Sequence, residues 1–308
     1  LKETYKKQVQ LLLMVLETTL SDERFALKGG TAINLFHRNF PRYSVDIDLT
    51  YLPLEDRGTT FANMHEILRD IEKKFKEEFG LDVTSSKPLD GKSETKLFVS
   101  NADVQIKIEP NFILRGSLFP AKQTKLCEKA SNEFEMEISV NCLSTEDVYG
   151  GKICAALDRQ HPRDLFDVKY LFENEGITEE VKDSFIFYLI SHNRPINELL
   201  NPNLKDISAS YESEFKSMAE VEVELAELIK VRKLLISKVR ESLNENDIAF
   251  IKSFVSNKPD WSLVNDSNVQ NYPSVKWKLL NQGKMDKKKQ EKYIEDIASL
   301  FDTNSEVK

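Results

Sequence analysis

Phe25-Ala26-Leu27-Lys28-Gly29-Gly30-Thr31, followed a few residues later by Arg42-Tyr43-Ser44-Val45-Asp46-Ile47-Asp48, is the stretch on which the reading of this chain turns. The apolar Phe25, Ala26 and Leu27 run into a glycine pair, and Thr31 opens a segment in which Ala32, Leu35 and Phe36 recur at helical spacing. The pattern is strand, tight turn, helix. Residues 43–52 return as a strand, with Ile47 and Leu49 on one face and Asp46 and Asp48 on the other, because side chains alternate across a pleated sheet. A glycine pair between strand and helix lets the backbone approach a ligand closely and leaves the first helical N–H groups free, which suits a phosphate. Two carboxylates on the same side of one strand repel unless a cation sits between them. Such a pair is what magnesium needs to hold a nucleoside triphosphate for in-line attack. A lone Asp-x-Asp is most often a solvated strand edge and a lone Gly-Gly usually a turn, so the order of the two motifs carries the weight.

Outward from this block, Tyr5, Val9, Leu12, Leu16 and Leu20 form one face of an amphipathic helix before it. A second helix follows it, with Phe61, Met64, Ile67, Ile71, Phe75 and Phe79 at helical spacing and Gly80 as its stop. Strands are expected over 81–84, 96–99 and 104–109, and a further half-exposed strand where Phe134, Met136, Ile138 and Val140 alternate with Glu133, Glu135, Glu137 and Ser139. From Ser144, with Asp147 three residues on as a capping signal, the chain reads as helical over 145–158, 162–173, 178–192, 209–242, 245–255, 274–281 and 287–302. The expected class is α+β: a core with a mixed β-sheet flanked by helices, then a C-terminal helical bundle. The boundary falls near Glu175, where Glu-Asn-Glu-Gly interrupts the apolar periodicity, giving domains 1–175 and 176–308.

Composition narrows the function classes. With 51 acidic against 43 basic residues the net charge is −8, which argues against non-specific coating of duplex DNA but leaves room for a local basic groove. Cys127, Cys142 and Cys154 are too few and too isolated for a disulfide framework or a metal knuckle. The longest early apolar run, Leu11 to Leu16, falls far short of the ~20 residues that span a bilayer. A cytoplasmic protein without membrane insertion is expected. Zinc, serine-hydrolase and P-loop readings drop out, since His37, His65, His161 and His192 lack the HExxH spacing and neither GxSxG nor GxxxxGK[ST] occurs. Trp261 and Trp277 are expected to pack the bundle, and Lys287, Lys288, Lys289 and Lys292 to form a solvated helix face.

Gly29-Gly30-Thr31 with Arg42-x-Ser44-x-Asp46-Ile47-Asp48 resembles the AbiEii/AbiGii-type toxins of the nucleotidyltransferase superfamily, which share a DNA polymerase β-like core. The resemblance continues in Lys152, Arg159, Arg163, Asp164 and Asp167, and covers roughly the first 175 residues; the helical half matches by architecture more than by motif. It implies that Asp46 and Asp48 ligate Mg²⁺, that Gly29, Gly30 and Thr31 cradle phosphates with the Thr31 hydroxyl as donor, that Arg42 pairs with the carboxylates or with phosphate, and that Ser44 touches phosphate or terminates the loop. The superfamily adds a third carboxylate from a neighbouring strand. Glu109, on the face opposite Val104, Ile106 and Ile108, is the choice here, with Asp103 as the alternative.

Lys152 stands just after Gly150-Gly151, where two glycines inside a helix cost ~1 kcal/mol each relative to alanine, so close approach of something is expected there. The family motif casts Lys152 as neutralising the triphosphate, Asp164 as orienting that lysine or acting as a base, and Arg159 and Arg163 as holding phosphate or RNA. Asp164 and Asp167 also sit in the first turn of a helix begun by Pro162, where acids are favoured by the macrodipole alone. The implied activity is transfer of NMP from an NTP to an acceptor hydroxyl, the 3′ end of tRNA being the expected acceptor and Lys28, Arg42, Lys152, Arg159 and Arg163 its basic contacts. The implied role is the toxin of a bacterial toxin–antitoxin pair, with a cognate antitoxin as partner. Nucleotidylation of a protein side chain, or nucleotide binding without turnover, are the alternatives.

Overall fold

The structure, a computed structural model, describes residues 1–302. By its packing the chain falls into two compact units. One is Leu1–Val148 together with Glu212–Val223; the other is Tyr149–Tyr211 together with the chain from Glu224 onward. The division between Val148 and Tyr149 lies inside one helix, Thr145–Arg159. The domains 1–175 and 176–308 remain a proposal about which segments fold alone.

Among its described residues the first unit builds one mixed sheet from β1 (Phe25–Lys28), β2 (Asp46–Tyr51), β3 (Asp82–Ser85), β4 (Leu97–Ser100), β5 (Gln105–Asn111), β6 (Lys122–Lys125) and β7 (Ser139–Cys142). The strand order is β3-β4-β5-β2-β1-β7-β6. β2 runs antiparallel to β1 and parallel to β5, so the Asp-x-Asp strand lies in the interior of the sheet. Ile47, Leu49, Ile106 and Ile108 are fully or almost fully buried, and helix Lys2–Thr19 packs on β2, β5 and β7 with Val9, Leu12, Leu13 and Leu16 inside. Burial of this apolar face leaves the alternate residues of β2 and β5 on the other face. Helix Arg57–Glu78, capped by the Asp56 side chain on Thr59 N–H, packs against helix Lys2–Thr19 and β3.

Two expected elements take a different form, and β6 and helix Ile196–Leu200 lie where the sequence predicts none. Phe134 is not in a strand: it ends helix Glu128–Phe134, whose buried Ala130 and Phe134 are a helical pair four residues apart. Glu135 then turns the chain with a φ of 53°, and only 139–142 are extended. The alternation across 133–140 straddled a helix end and a strand start. The expected helix 209–242 is also interrupted. Its regular part is Leu225–Ser242, and the segment before it returns to the first unit, where Ala219 bridges Arg42, Tyr43 N–H donates to the Met218 carbonyl and Glu220 N–H to the Pro41 carbonyl.

The second unit is helical: Pro162–Glu173, Glu179–Ser191, Ile196–Leu200, Leu225–Ser242, Glu245–Val255, Pro273–Gln282 and Lys287–Phe301 follow the shared helix. Phe166, Phe185, Phe250 and Phe254 fill its core. Trp261 packs there against Phe250 and Phe254, as expected, whereas Trp277 is 48% exposed. Gly150 of the shared helix has a packing cause. A Cβ on Gly150 would meet the Ser184 backbone at 2.7 Å, so helix Glu179–Ser191 is the close neighbour the sequence called for.

Candidate active site

The Gly29-Gly30-Thr31 turn is shaped by side chains of the Asp-x-Asp strand and its approach. Gly29 has a φ of 73°, in the left-handed region that glycine alone adopts freely. A Cβ there would strike the Asp48 carboxylate. At Gly30 a Cβ would lie 2.7 Å from Arg42 Nη2 and 2.9 Å from Ser44 Oγ. The space two side chains would take is filled instead by Asp48, Arg42 and Ser44. Thr31 is fully buried; its hydroxyl donates to the Asp46 carbonyl at 2.5 Å and can accept from the Ser44 hydroxyl at 3.0 Å. The threonine therefore braces the turn against β2. The chain continues as one short helical turn, Gly29–Thr31, and a wider π-type turn, Ala32–His37, with Asn34 Nδ2 donating to the Gly30 carbonyl. Arg42 is buried, with Nη1 donating to the Tyr43 carbonyl at 2.8 Å.

On the sheet face, Asp46 stands beside Lys107 and Asp48 beside Glu109 in the β2/β5 register, while Lys28 stands opposite Asp48 across β1/β2. Glu109 thus shares a row with both aspartates. Asp103 lies in the turn before β5, exposed and paired with Lys7 at 3.0 Å. Lys107 Nζ is 2.7 Å from Glu109 Oε2 and 3.8 Å from Asp46 Oδ1, and Lys96 Nζ pairs with Glu109 Oε1. Burial opposes the charge of Glu109, but Lys107 and Lys96 outweigh it and hold the carboxyl below its ordinary value. Burial likewise depresses Lys107, and the contacts with Glu109 and Asp46 reverse that and raise it. Lys28 is pushed below the ordinary lysine value by burial, against the pull of Asp48 and Glu109.

Lys96 was not legible as a site residue. The signal lay in pairing: β4 and β5 form a hairpin in which Leu97 opposes Ile108, and one step further Lys96 comes opposite Glu109. Among the described residues no three acids, histidines or cysteines are gathered closely enough to bind a metal as they stand. The donor set still suits a hard divalent cation, because three carboxylates occupy adjacent register positions on one face and supply oxygen alone.

The second unit holds the other residues singled out by the sequence. Lys152 Nζ lies 2.9 Å from Asp164 Oδ1 and 3.0 Å from Asp167 Oδ2, with side-chain exposures of 7%, 4% and 0% for the three residues. Arg159 adds Nε to Asp164 Oδ2 at 3.1 Å and Nη2 to Oδ1 at 3.0 Å. Burial opposes the charge of Asp164, yet Lys152 and Arg159 bring its carboxyl down to about 2. Arg163 sits at the start of helix Pro162–Glu173, where its N–H donates to His161 Nδ1 at 3.1 Å.

A glycine turn that admits an aspartate of the next strand, and a row of carboxylates on one sheet face, are features of a nucleotidyltransferase. The family model for the nucleotidyl transferase AbiEii toxin of Type IV toxin–antitoxin systems matches residues 10–281, and the chain belongs to that family. Among solved structures it is similar to MenT4, a nucleotidyltransferase toxin from Mycobacterium tuberculosis H37Rv. That match has a TM-score of 0.58 and 14% identity over 96% of this chain and 92% of the other, a likeness of fold. No curated protein matches by sequence. Among the described residues no helix is long and apolar enough to cross a membrane.

Proposed function

We propose that the chain is a Mg²⁺-dependent nucleotidyltransferase of the EC 2.7.7 type that moves NMP from an NTP to an acceptor hydroxyl and releases pyrophosphate. The row of Asp46, Asp48 and Glu109 on one sheet face, next to a turn whose glycines admit Asp48, carries this reading. Asp46 and Asp48 would hold the metal, with Glu109 as the third carboxylate. Bound there, Mg²⁺ would draw charge off the triphosphate and favour in-line displacement at the α-phosphorus. The backbone of Gly29, Gly30 and Thr31 would lie along the phosphates, with Arg42 and Ser44, both buried behind Gly30, assigned to support that turn or the phosphates. The acceptor oxygen bonds to the α-phosphorus as the bond to the bridging oxygen breaks and pyrophosphate leaves, and the hydroxyl proton passes to solvent water.

Lys152 is assigned to the leaving pyrophosphate, where a positive charge counts most as negative charge builds up. Asp164, a weak base at a pKa of about 2, suits orienting Lys152 better than accepting a proton. Arg159 and Arg163 are assigned to phosphate or acceptor RNA. The acceptor is the 3′ end of tRNA, the setting is the bacterial cytoplasm, and the partner is a cognate antitoxin. The test is incubation of the purified protein with each α-labelled NTP, Mg²⁺ and either total tRNA or total lysate protein. Label at the RNA 3′ end is expected. Label in protein alone would move the acceptor to a side chain, and binding of NTP without transfer would overturn the enzymatic reading.

A further inference from the structure

The carboxylate row carries its own cations. Both oxygens of Glu109 accept from an ammonium, Oε1 from Lys96 and Oε2 from Lys107, and Lys107 also lies 3.8 Å from Asp46 Oδ1. Lys28 adds a third ammonium opposite Asp48. Three lysines therefore stand among three carboxylates, and the face is close to neutral without any metal. Lys107 lies on β5 and Lys96 one residue before β4, so their convergence on Glu109 follows from the β4/β5 register.

We propose that Lys96 and Lys107 form a latch on Glu109 that competes with divalent metal, so that metal and nucleotide are taken up together; this rests on the proposed metal role of the row. A cation that uses Glu109 must take an oxygen now held by an ammonium. The side chains are 30% exposed for Lys107, 31% for Glu109 and 44% for Lys96, so the pairs meet solvent and exchange is cheap. A freed lysine needs another anion, and the triphosphate brings several negative oxygens to the same face. Metal alone supplies no such partner and meets repulsion from the lysines. The metal–nucleotide complex supplies both.

The probe is Mn²⁺, followed by loss of its free-ion EPR signal, with the full-length protein and no nucleotide. Lys107→Met should bind Mn²⁺ roughly tenfold or more tightly than wild type, because one unit of nearby positive charge is removed. Lys96→Met, just before β4, should shift affinity in the same direction and serves if the first variant fails to fold. In a Glu109→Gln background, which removes the anchor, the Lys107→Met gain should shrink several-fold. Unchanged or weaker Mn²⁺ binding in both lysine variants overturns the latch. So does a full Lys107→Met gain without Glu109, which would mark a general charge effect. Failure of the underlying metal assignment looks different: Asp46→Asn and Asp48→Asn would then bind Mn²⁺ as wild type does, with or without the lysines, and the latch would fall with it.

Discussion

Two clusters in this protein use the same ingredients, lysine and several carboxylates, in opposite solvation. On the sheet face, Glu109 and Lys107 are about a third exposed, and each lysine serves a carboxylate that a ligand can also reach. In the helical unit, Lys152, Asp164 and Asp167 are almost wholly buried and hold one another at 2.9 and 3.0 Å. A pair open to water is worth roughly 0–1 kcal/mol and trades partners readily, whereas breaking a buried pair leaves an uncompensated charge and costs about 3–5 kcal/mol. The first arrangement suits binding and exchange. The second suits holding one ammonium in one place.

The largest effect expected from this contrast is on chemistry. Asp46→Ala or Asp48→Ala should lower NMP transfer by on the order of 10³ or more, as loss of a metal ligand removes several kcal/mol of transition-state stabilisation. Thermal stability without Mg²⁺ should change by no more than about 1 kcal/mol, since Lys107 and Lys28 already offset these carboxylates and the pair with Asp46 meets solvent. Single-turnover transfer alongside a melting curve checks both, and undiminished transfer by the two variants would sink the metal assignment. Next comes Lys152→Met, which leaves Asp164 and Asp167 buried without their ammonium and should destabilise the protein by about 3–5 kcal/mol. A denaturant titration reads this. A change under about 1 kcal/mol would place Lys152 with the exchangeable lysines of the sheet face.

The pH dependence of stability separates the clusters further. Asp164 is held at about 2 in the folded chain, below its ordinary value of 3.8. Its contribution is full above the ordinary value and is lost as pH falls toward 2, because the unfolded chain takes up the proton first. Acid unfolding of wild type should steepen across that window, and Asp164→Asn should flatten it. An Asp164→Asn profile that matches wild type there would deny the pair its role. The smallest effect belongs to Lys107→Met, expected to shift unfolding free energy by no more than about 1 kcal/mol, since its partners stay solvated. Differential scanning calorimetry of this variant beside Lys152→Met tests the contrast in one experiment.

Much of this was legible because it depends on local periodicity. The glycine pair and the period-two alternation of Asp46-Ile47-Asp48 placed the turn and the strand face, and the alternation of Ile106 and Ile108 placed Glu109 on the other face. What stayed hidden depends on partners distant in sequence. β6, Lys-Gln-Thr-Lys, is an edge strand with no apolar alternation, so only its pairing with β7 identifies it. The break in the expected helix 209–242 has a faint signal in Glu220-Val221-Glu222-Val223-Glu224, whose period of two does not fit a helix, but its bond to residues 41–43 is a long-range fact. Thr31 read as a phosphate donor because burial cannot be seen in one residue type. The domain proposal is checked by limited proteolysis: a first cut near Glu175 supports folding units 1–175 and 176–308, and first cuts flanking 212–223 would favour the packing units instead.

On the proposed function, the Asp46, Asp48 and Glu109 face transfers a nucleotidyl group rather than a phosphoryl group. The direct measurement uses two labels of one NTP, at the α- and the γ-phosphate, with tRNA and Mg²⁺. Wild type should leave the α label on the RNA and release the γ label in pyrophosphate, and Asp48→Ala should do neither. A γ label on the acceptor, or an α label on RNA that survives the loss of both Asp46 and Asp48, would contradict it.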